Sequence, residues 1–374
     1  MKKSANLLFV VFLLSTFIFV FFSGEKLEMQ SVEDLDIYLG VGVGLENYGK
    51  AGATYKIHVT LNSYKLDGSV DRVISTGAGS TIGKTREDRQ NKIGNQRFFG
   101  LSKVYLLEEE YARFGIRPLV DITFKNPDIN NNLYVVVCKG RSEDYFRSAT
   151  PGYINSADYI SDMIKASFNF NFFKPDNFMF KNVVLSMDAE GKNVISPYIE
   201  IMEEGIKING MAVFRKDKLA AILNMKDTRI MNMLRESNVN GMLTIQKDSK
   251  EYINYEVESK RKITCKKTGD KFTFIIDLNL KGEIINNILY KGMASKIEVT
   301  DKFEEDMAKQ VTLMCTSFLE KMKNEYKVDC LQLGWVAAAK YGRDTGVDWD
   351  EIVSKSEIKV NVKVQVDKVG RGQY

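Results

Sequence analysis

The sequence predicts a multi-domain α+β protein with mixed or antiparallel sheets, flanking helices and an N-terminal signal or anchor helix. Three patterns lead to this class: alternating apolar and polar residues typical of strands, separate stretches with apolar residues every three or four positions, and one apolar run near the amino terminus. Strands and helices do not alternate regularly, which argues against a doubly wound parallel sheet. With 374 residues, 44% of them hydrophobic, the chain can bury more than one core.

Residues 1–24 are expected to be a signal or membrane-anchor segment. Lys2 and Lys3 precede an apolar run at residues 7–22, the order found in export signals. Two phenylalanines at the end of the run stand where a signal peptidase needs small side chains, so we expect the segment to stay uncleaved. By the positive-inside rule, the lysines keep the amino end in the cytoplasm and place the rest of the chain outside.

The N-terminal region, residues 25–200, is expected to form the first domain. Alternation predicts strands at 35–45, 55–61 and 70–76, the first two joined as a hairpin, and a continuous apolar run predicts a central strand at 133–138. Further expected elements are an exposed helix at 85–95, a strand at 100–107 and a short helix at 108–114, and the turn at 205–209 is expected to open a pair of short strands ending at Phe214.

The C-terminal region, residues 201–374, is expected to form the second domain, with a small subdomain at 201–250 as an alternative. The expected elements are a hairpin of strands at 257–265 and 272–280, an amphipathic helix at 301–326, a shorter helix at 331–341 and a closing antiparallel strand at 358–366. The long helix carries a stripe of Met307, Met314 and Met322 with Phe303 and Phe318. We expect this stripe to be core, a partner-binding face being the alternative.

Composition argues against several kinds of chemistry. The net charge of +4 is too weak to indicate nucleic-acid binding. His58 is the single histidine, so a zinc site with two histidine ligands is excluded and a Ser/His or Cys/His nucleophile would depend on that one ring. We therefore assign no catalytic, cofactor-binding or metal-binding residue and expect no cofactor and no enzyme activity.

Residues 78–85 fit a loose form of the phosphate-binding loop. Lys84 would contact terminal phosphates and Thr85 would hold magnesium. However, the preceding strand is half polar and the following helix lacks an apolar face, whereas a phosphate loop joins a buried parallel strand to an amphipathic helix. We expect a Gly/Ser-rich turn that caps a helix, and an exported nucleotide-dependent enzyme is the weakest alternative function.

Two other patterns have simpler structural interpretations. Gly40, Gly42 and Gly44 lie within a strand rather than after one, so they indicate close packing rather than a dinucleotide site. The acidic residues near Gly346 are Asp344, Asp348, Asp350 and Glu351. Their spacing misses the ligand positions of a calcium loop, and Asp348 is expected to begin a helix.

The last candidates for chemistry are carboxylates, the histidine and thiols. Glu108–Glu110 are consecutive, and such positions point in different directions on a helix, so we expect a solvated first turn. His58 is expected to be a satisfied strand residue. The cysteines are Cys138, Cys265, Cys315 and Cys330. They are expected to pack as free, small hydrophobic side chains, with disulfides as the alternative that export would permit.

Several stretches along nearly the whole chain resemble the Ger(x)C family, the C subunits of nutrient germinant receptors in endospore-forming bacteria. They are Asp34–Gly42, Phe99–Tyr105, Tyr111–Ile116, Leu119–Asp121, Asn126–Pro127, Val135–Val137, Gly210–Leu219, Asp329, Gly334, Trp349, and Val360–Val364 with Gly370. The resemblance implies an extracytoplasmic protein of spore germination without catalytic residues. It also implies a place on the outer face of the spore inner membrane, beside a membrane-embedded A subunit and a transporter-like B subunit.

One departure from the family pattern concerns the anchor. Members are usually lipoproteins whose first mature residue is a lipid-bearing cysteine, but Glu25 stands at that position here, and a carboxylate cannot form the thioether. The nutrient germinant is a further expected partner, reached directly or through the other subunits. The alternative function is a solute-binding protein of an uptake system, which predicts a deep, polar interdomain cleft.

Overall fold

The computed structural model describes residues 12–18, 31–49, 52–92, 94, 96–343 and 346–369. Two sheets with flanking helices make up this part of the chain, which confirms the α+β class. Residues 12–18 form a short helix, α1. The rest of the predicted anchor segment and Glu25 lie outside the described residues. Among the residues described, we find no helix that is both long and apolar enough to cross a membrane.

The larger sheet contains nine strands among the described residues. They are β1 (Leu35–Gly49), β2 (Gly52–Tyr64), β3 (Val70–Gly79), β4 (Gln96–Phe98), β5 (Val104–Glu108), β6 (Tyr134–Cys138), β7 (Ile195–Met202), β8 (Gly205–Arg215) and β9 (Lys218–Asn224). The order is β3-β2-β1-β5-β6-β7-β8-β9, with β4 beside β1. The centre, β1-β5-β6-β7, is parallel, whereas β2, β3, β8 and β9 pair antiparallel. The sheet is therefore mixed.

Short helices cover this sheet. They are α2 (Ile82–Gln90), α3 (Glu109–Phe114), α4 (Arg117–Phe124), α5 (Ser142–Arg147), α6 (Ser156–Ala166), α7 (Phe180–Asp188) and α8 (Met225–Arg235), together with 3-10 turns at Val32–Asp34, Ser167–Asn169 and Pro175–Phe178. The prediction of an exposed helix at 85–95 is wrong in its bounds, while most of the helix is exposed as expected. Helix α2 ends at Gln90 and buries Thr85 and Arg89, residue types that hydrophobic periodicity does not count.

The smaller sheet has the order β10-β11-β12-β13. Its strands are β10 (Val239–Gln246), β11 (Tyr252–Thr268), β12 (Lys271–Asn287) and β13 (Glu357–Val369). The predicted β11–β12 hairpin is confirmed. The prediction of an antiparallel closing strand is wrong, because β13 pairs parallel with β12. Parallel neighbours need a crossover connection, and helices supply it here.

The crossover consists of α9 (Ile297–Lys321), a π-helical turn at Met322–Tyr326, α10 (Leu333–Tyr341) and α11 (Trp349–Lys355). Phe303, Met307 and Phe318 on its long helix and Met322 in the π-helical turn are each at most 2% exposed, which confirms the core interpretation for these four residues of the Met/Phe stripe, whereas Met314 is half-buried. The Phe303 ring packs edge-on against Tyr255 of β11, 5.5 Å between centroids. The long helix therefore covers one face of the smaller sheet.

The two sheets share a continuous apolar core. The larger sheet also continues across residue 200, since β7 pairs with β8 and Met202 lies opposite Gly205. The segment 201–250 is divided between the sheets, because β8 and β9 belong to the larger and β10 to the smaller. The domain boundary near residue 200 stays a prediction about the organisation of the chain.

Candidate functional site

Three residues that carried the family resemblance lie together where the two sheets meet. We call this region the junction and define it by Glu190, Gly191, Asn193, Arg235, Glu236, Asp329, Gly334, Trp349 and Asp350. Glu190, Gly191 and Asn193 follow α7. Arg235 is the last residue of α8, and Glu236 comes directly after it. The last four belong to the crossover that leads to β13. The junction therefore joins three separate segments of the chain.

Asp329 is the buried centre of the junction, 2% exposed. Its carboxylate accepts hydrogen bonds from the backbone N–H of Leu331 at 2.9 Å and of Gly334 at 2.7 Å. These bonds fix the turn that leads into α10, whose first residue is Leu333. Burial raises the pKa of Asp329 to about 6, because an apolar environment disfavours the charged form.

Asn193 ties the loop after α7 to this centre. Its side-chain amide donates to Asp350 Oδ1 at 2.6 Å and to the backbone carbonyl of Asp329 at 3.2 Å. Asp350 also accepts from the backbone N–H of Asp329 at 2.7 Å and pairs with Arg215 of β8, Nε to Oδ2 3.3 Å. A single carboxylate thus connects three elements of the fold.

Arg235 is 2% exposed, yet each part of its guanidinium has a partner. Nη1 donates to the carbonyl of Cys330 at 2.8 Å, Nη2 to the carbonyl of Asn193 at 3.0 Å, and Nε to Glu236 at 3.2 Å. Burial lowers the pKa of Arg235. A buried charge is tolerated when such partners replace its water, and removing one of them leaves the charge uncompensated.

Gly334 and Trp349 close the junction. A Cβ at Gly334 would lie 2.6 Å from the Cβ of Trp349 and 3.2 Å from the Cα of Gly191, so only glycine permits this approach. The indole Nε1 of Trp349 donates to Glu190 at 2.8 Å. The groups of the junction mainly satisfy one another, and the arrangement is suited to fixing the relative orientation of the two sheets.

Sequence reasoning found part of the junction and missed the rest. Asp329, Gly334 and Trp349 were singled out by the resemblance, whereas Asn193 and Arg235 carried no motif. A signal for Arg235 did exist, since it follows the apolar residues Met233 and Leu234 closely, and a charged residue in such a stretch often marks a buried polar contact.

A cleft of about 680 Å³ opens beside the junction. Arg117 and Lys192 contribute positive charge to its walls, and Asp188, Asp348 and Asp350 contribute negative charge. Asp348 also begins α11, accepting from the backbone N–H of Glu351 at 3.2 Å as expected, while Asp344 lies outside the described residues. Within the described ranges, no group of three or more candidate side chains could hold a metal ion.

A second cleft, of about 460 Å³, brings together His58 and Glu108–Glu110, which the sequence treated separately. The ring of His58 is 1% exposed and its Nδ1 lies 2.8 Å from Thr76 Oγ1, which confirms the satisfied strand histidine. Burial lowers the pKa of His58 to about 4. The ring is therefore neutral near pH 7.

Glu108 corrects the prediction of a solvated first turn. Its Oε1 accepts from the backbone N–H of Ser142 at 2.9 Å and from the hydroxyl of the same residue at 2.8 Å. Burial raises the pKa of Glu108. The residue precedes α3 rather than belonging to it, so its side chain is free to reach the start of α5.

The remaining patterns have the structural roles expected of them. Thr81 caps α2 by accepting from the backbone N–H of Lys84 at 3.2 Å, and the preceding strand β3 is an antiparallel edge strand rather than a buried parallel one. Gly42 and Gly44 lie in β1, where a Cβ would collide with Ser142 and Glu108. All four cysteines are buried and free.

Comparison with known proteins gives a match along nearly the whole chain. The family model described as spore germination protein N-terminal domain matches residues 28–201, and the model described as spore germination B3/GerAC like, C-terminal, matches residues 209–370. The chain belongs to the Ger(x)C family. The spore germination protein GerQC of Bacillus cereus is 21% identical over 346 residues, which cover 91% of this chain and 93% of that protein.

The crystal structure of the GerBC protein has the same fold. It aligns with a TM-score of 0.55 at 17% identity and covers 87% of this chain and 97% of that one. The resemblance to the Ger(x)C family is thus confirmed. A polar cleft was the expectation of the solute-binding alternative, so the cleft alone does not separate the two classes, and the family match favours the germination proteins.

Proposed function

We propose that this chain is the non-catalytic C subunit of a nutrient germinant receptor, on the outer face of the spore inner membrane beside an A and a B subunit. The observation that carries the proposal is the extent of the family match, which includes both regions of the chain. GerQC, named as a spore germination protein, aligns over 93% of its own length, so no large part of it lacks a counterpart here.

The junction supports a role in assembly rather than in chemistry. Asp329, Asn193 and Arg235 hold the larger sheet and the crossover helices in one orientation through buried hydrogen bonds. A subunit that passes a signal between partners needs such a fixed relation between its surfaces. A partner that moves one region of the chain would then displace the other region as a rigid body.

Attachment to the membrane is assigned to residues 1–24. Glu25 cannot carry the thioether lipid, and the apolar run at 7–22 spans about 24 Å at ~1.5 Å per residue, close to the ~30 Å hydrocarbon core. We expect an uncleaved helix, which intact mass and N-terminal sequencing of membrane-extracted protein will test. A mature chain beginning near Glu25 in the soluble fraction would contradict it.

The central experiment is deletion of the gene in its own host, followed by germination of the spores against single nutrients and nutrient mixtures. Deletion should abolish the response to at least one nutrient, and the intact gene should restore it. A version lacking residues 1–24 should leave the membrane fraction and fail to restore germination. A matched version with an unrelated single-span anchor in their place should restore it.

Partnership with the other subunits is tested by affinity purification of the tagged full chain from detergent-solubilised spore membranes. The A and B subunits should co-purify with it. Normal germination of the deletion strain under every nutrient, combined with loss of uptake of a solute, would replace the receptor proposal by the solute-binding alternative.

A further inference from the structure

A pocket of about 360 Å³ lies between α2, α4 and the face of β1 and β2. We call it the Arg89 pocket. Its floor is apolar, with Val41, Ile57 and Val59 each at most 8% exposed, and Leu119 and Ile82 line its sides. Volume and lining are those of a site for a small molecule with an apolar body.

Arg89 stands in the wall of this pocket and is only 7% exposed. Its Nη1 donates to Thr85 Oγ1 at 3.3 Å, whereas its buried Nε has no acceptor among the described residues. The charges that act on Arg89 include two more arginines, Arg86 and Arg97, and the carboxylate of Asp88, but none of the ion pairs in the described part of the chain includes Arg89. The pocket therefore combines an apolar floor with an excess of positive charge, since Arg86, Arg89 and Lys125 line it together with one carboxylate, Asp128.

The contrast with Arg235 shows what is missing. Both arginines lie in the last turn of a helix and both are at least nine-tenths buried. Arg235 has two backbone carbonyls and Glu236 as acceptors, whereas Arg89 donates to the uncharged hydroxyl of Thr85 and interacts with the uncharged hydroxyl of Tyr38. Buried charges are normally paired, so the environment of Arg89 is incomplete without an anion.

The position of Arg89 is built into the sheet. A Cβ at Gly77 of β3 would lie 2.7 Å from Arg89 Cγ and would collide with the carbonyl of Thr85. Glycine at this position lets α2 lie against the strand, so the Arg89 stem packs directly on the backbone of β3. The guanidinium is therefore held in place before any ligand arrives, which reduces the entropic cost of binding.

Tyr38 adds a second polar group at the same place. Its side chain is 1% exposed and lies beside the Arg89 guanidinium, and its hydroxyl has no acceptor among the described residues. Asp36, the nearby acidic side chain, already has a partner of its own. A phenol donor and a guanidinium together match the two oxygens of a carboxylate.

We propose that the Arg89 pocket binds a small organic anion, a carboxylate on an aliphatic or aromatic body. The carboxylate pairs with Arg89 and accepts from Tyr38, and the body lies on Val41, Ile57 and Val59. This activity goes beyond the receptor-subunit role, which does not require the subunit to bind a small molecule. The two proposals are tested separately, because binding is measured on the purified chain.

The test is equilibrium dialysis of radiolabelled 3-phenylpropionate and hexanoate against the full chain in detergent, with empty micelles as the blank. We expect saturable binding at one site for at least one of the two acids. The neutral 3-phenylpropionamide and the small anion acetate should each compete at least about tenfold less well. The amide lacks the negative charge that pairs with Arg89, and acetate lacks the apolar body.

Arg89→Met should weaken binding at least about tenfold while the protein stays folded, because an apolar side chain replaces an unpaired buried charge. Ile82→Trp, which keeps Arg89 and fills the pocket, should also abolish binding. Arg113→Met is the matched control, since Arg113 is an exposed helical arginine outside the pocket, and it should bind as wild type does. No saturable binding of either acid, equal competition by the amide, or unchanged binding by both pocket variants would overturn the proposal.

Discussion

Gly334 lies against Gly191 so closely that a Cβ on the first would stand 3.2 Å from the Cα of the second. Their segments are far apart in sequence, and their contact brings the loop after α7 onto the start of α10. The junction therefore depends on glycine at both positions as well as on the hydrogen bonds of Asp329.

Gly334→Ala should destabilise the protein by about 1–3 kcal/mol, because the new methyl group meets backbone and the Cβ of Trp349 rather than a flexible side-chain end. Chemical denaturation gives the free energy of unfolding. Gly83→Ala is the control: nothing in the surroundings comes closer to its Cβ than 3.9 Å, and alanine favours a helix, so stability should stay the same or rise by up to about 1 kcal/mol. Equal losses for both variants would contradict the close-contact argument.

His58 should make stability depend on pH. Burial lowers its pKa from 6.5 to about 4, so the unfolded chain takes up the proton first as the pH falls. The stabilising contribution is complete above pH 6.5 and is lost between pH 6.5 and 4, by about 3 kcal/mol at most. Asp329, with a pKa raised to about 6, acts in the opposite direction over this range.

The His58 effect is therefore measured as the difference between wild type and His58→Gln, from unfolding curves at pH 7.5, 6, 5 and 4. The advantage of wild type over the variant should shrink as the pH falls. A difference that stays constant with pH would show that the ring does not titrate below its ordinary value.

Phe318→Ala should cost about 3–5 kcal/mol of unfolding free energy, because Phe318 is 1% exposed on the buried face of α9. Leu313→Ala on the same helix is the matched control, since Leu313 is 72% exposed and should change stability by about 0.5 kcal/mol or less. Unchanged stability of Phe318→Ala with loss of germination or of subunit co-purification would make the stripe a partner face.

The proposed boundary near residue 200 separates two strands of one sheet. A fragment of residues 25–200 should aggregate when expressed alone, because β7 loses β8 and becomes an unpaired edge. A fragment of residues 25–235, which keeps β8, β9 and α8, should be the more soluble in detergent-free lysate. Equal, monomeric behaviour of both fragments would show that the first region folds without these strands.

Local patterns predicted the strands well and their pairing less well. Alternation in β11, β12 and β13 arises because one face of each strand is less exposed than the other, which sequence displays directly. The parallel pairing of β13 could not be predicted, because the direction depends on the route of the crossover rather than on the strand itself. The segment from β9 to β10 was missed, because α8 buries polar residues such as Asn232 and Arg235 beside its apolar ones.

The contacts of the junction could not be predicted from local sequence patterns either. Asn193 and Asp350 are 157 positions apart, so no spacing rule links them. The Arg89 pocket was also missed, since its decisive residue lies on a helix without apolar periodicity, directly after a motif that suggested nucleotide binding. Resemblance to a family found the residues that such proteins share, and the remaining ones needed the three-dimensional arrangement.

The parallel β12–β13 pair has a consequence for the order of events during synthesis. Strand β13, the parallel partner of β12, follows the crossover helices in sequence, so this edge of β12 stays unpaired while α9, α10 and α11 are made. Closure of this sheet therefore has to wait for synthesis of the whole crossover and of β13. Until then the long edge of β12 is open to pairing with other chains, which makes this the stage at which a chaperone would be most useful.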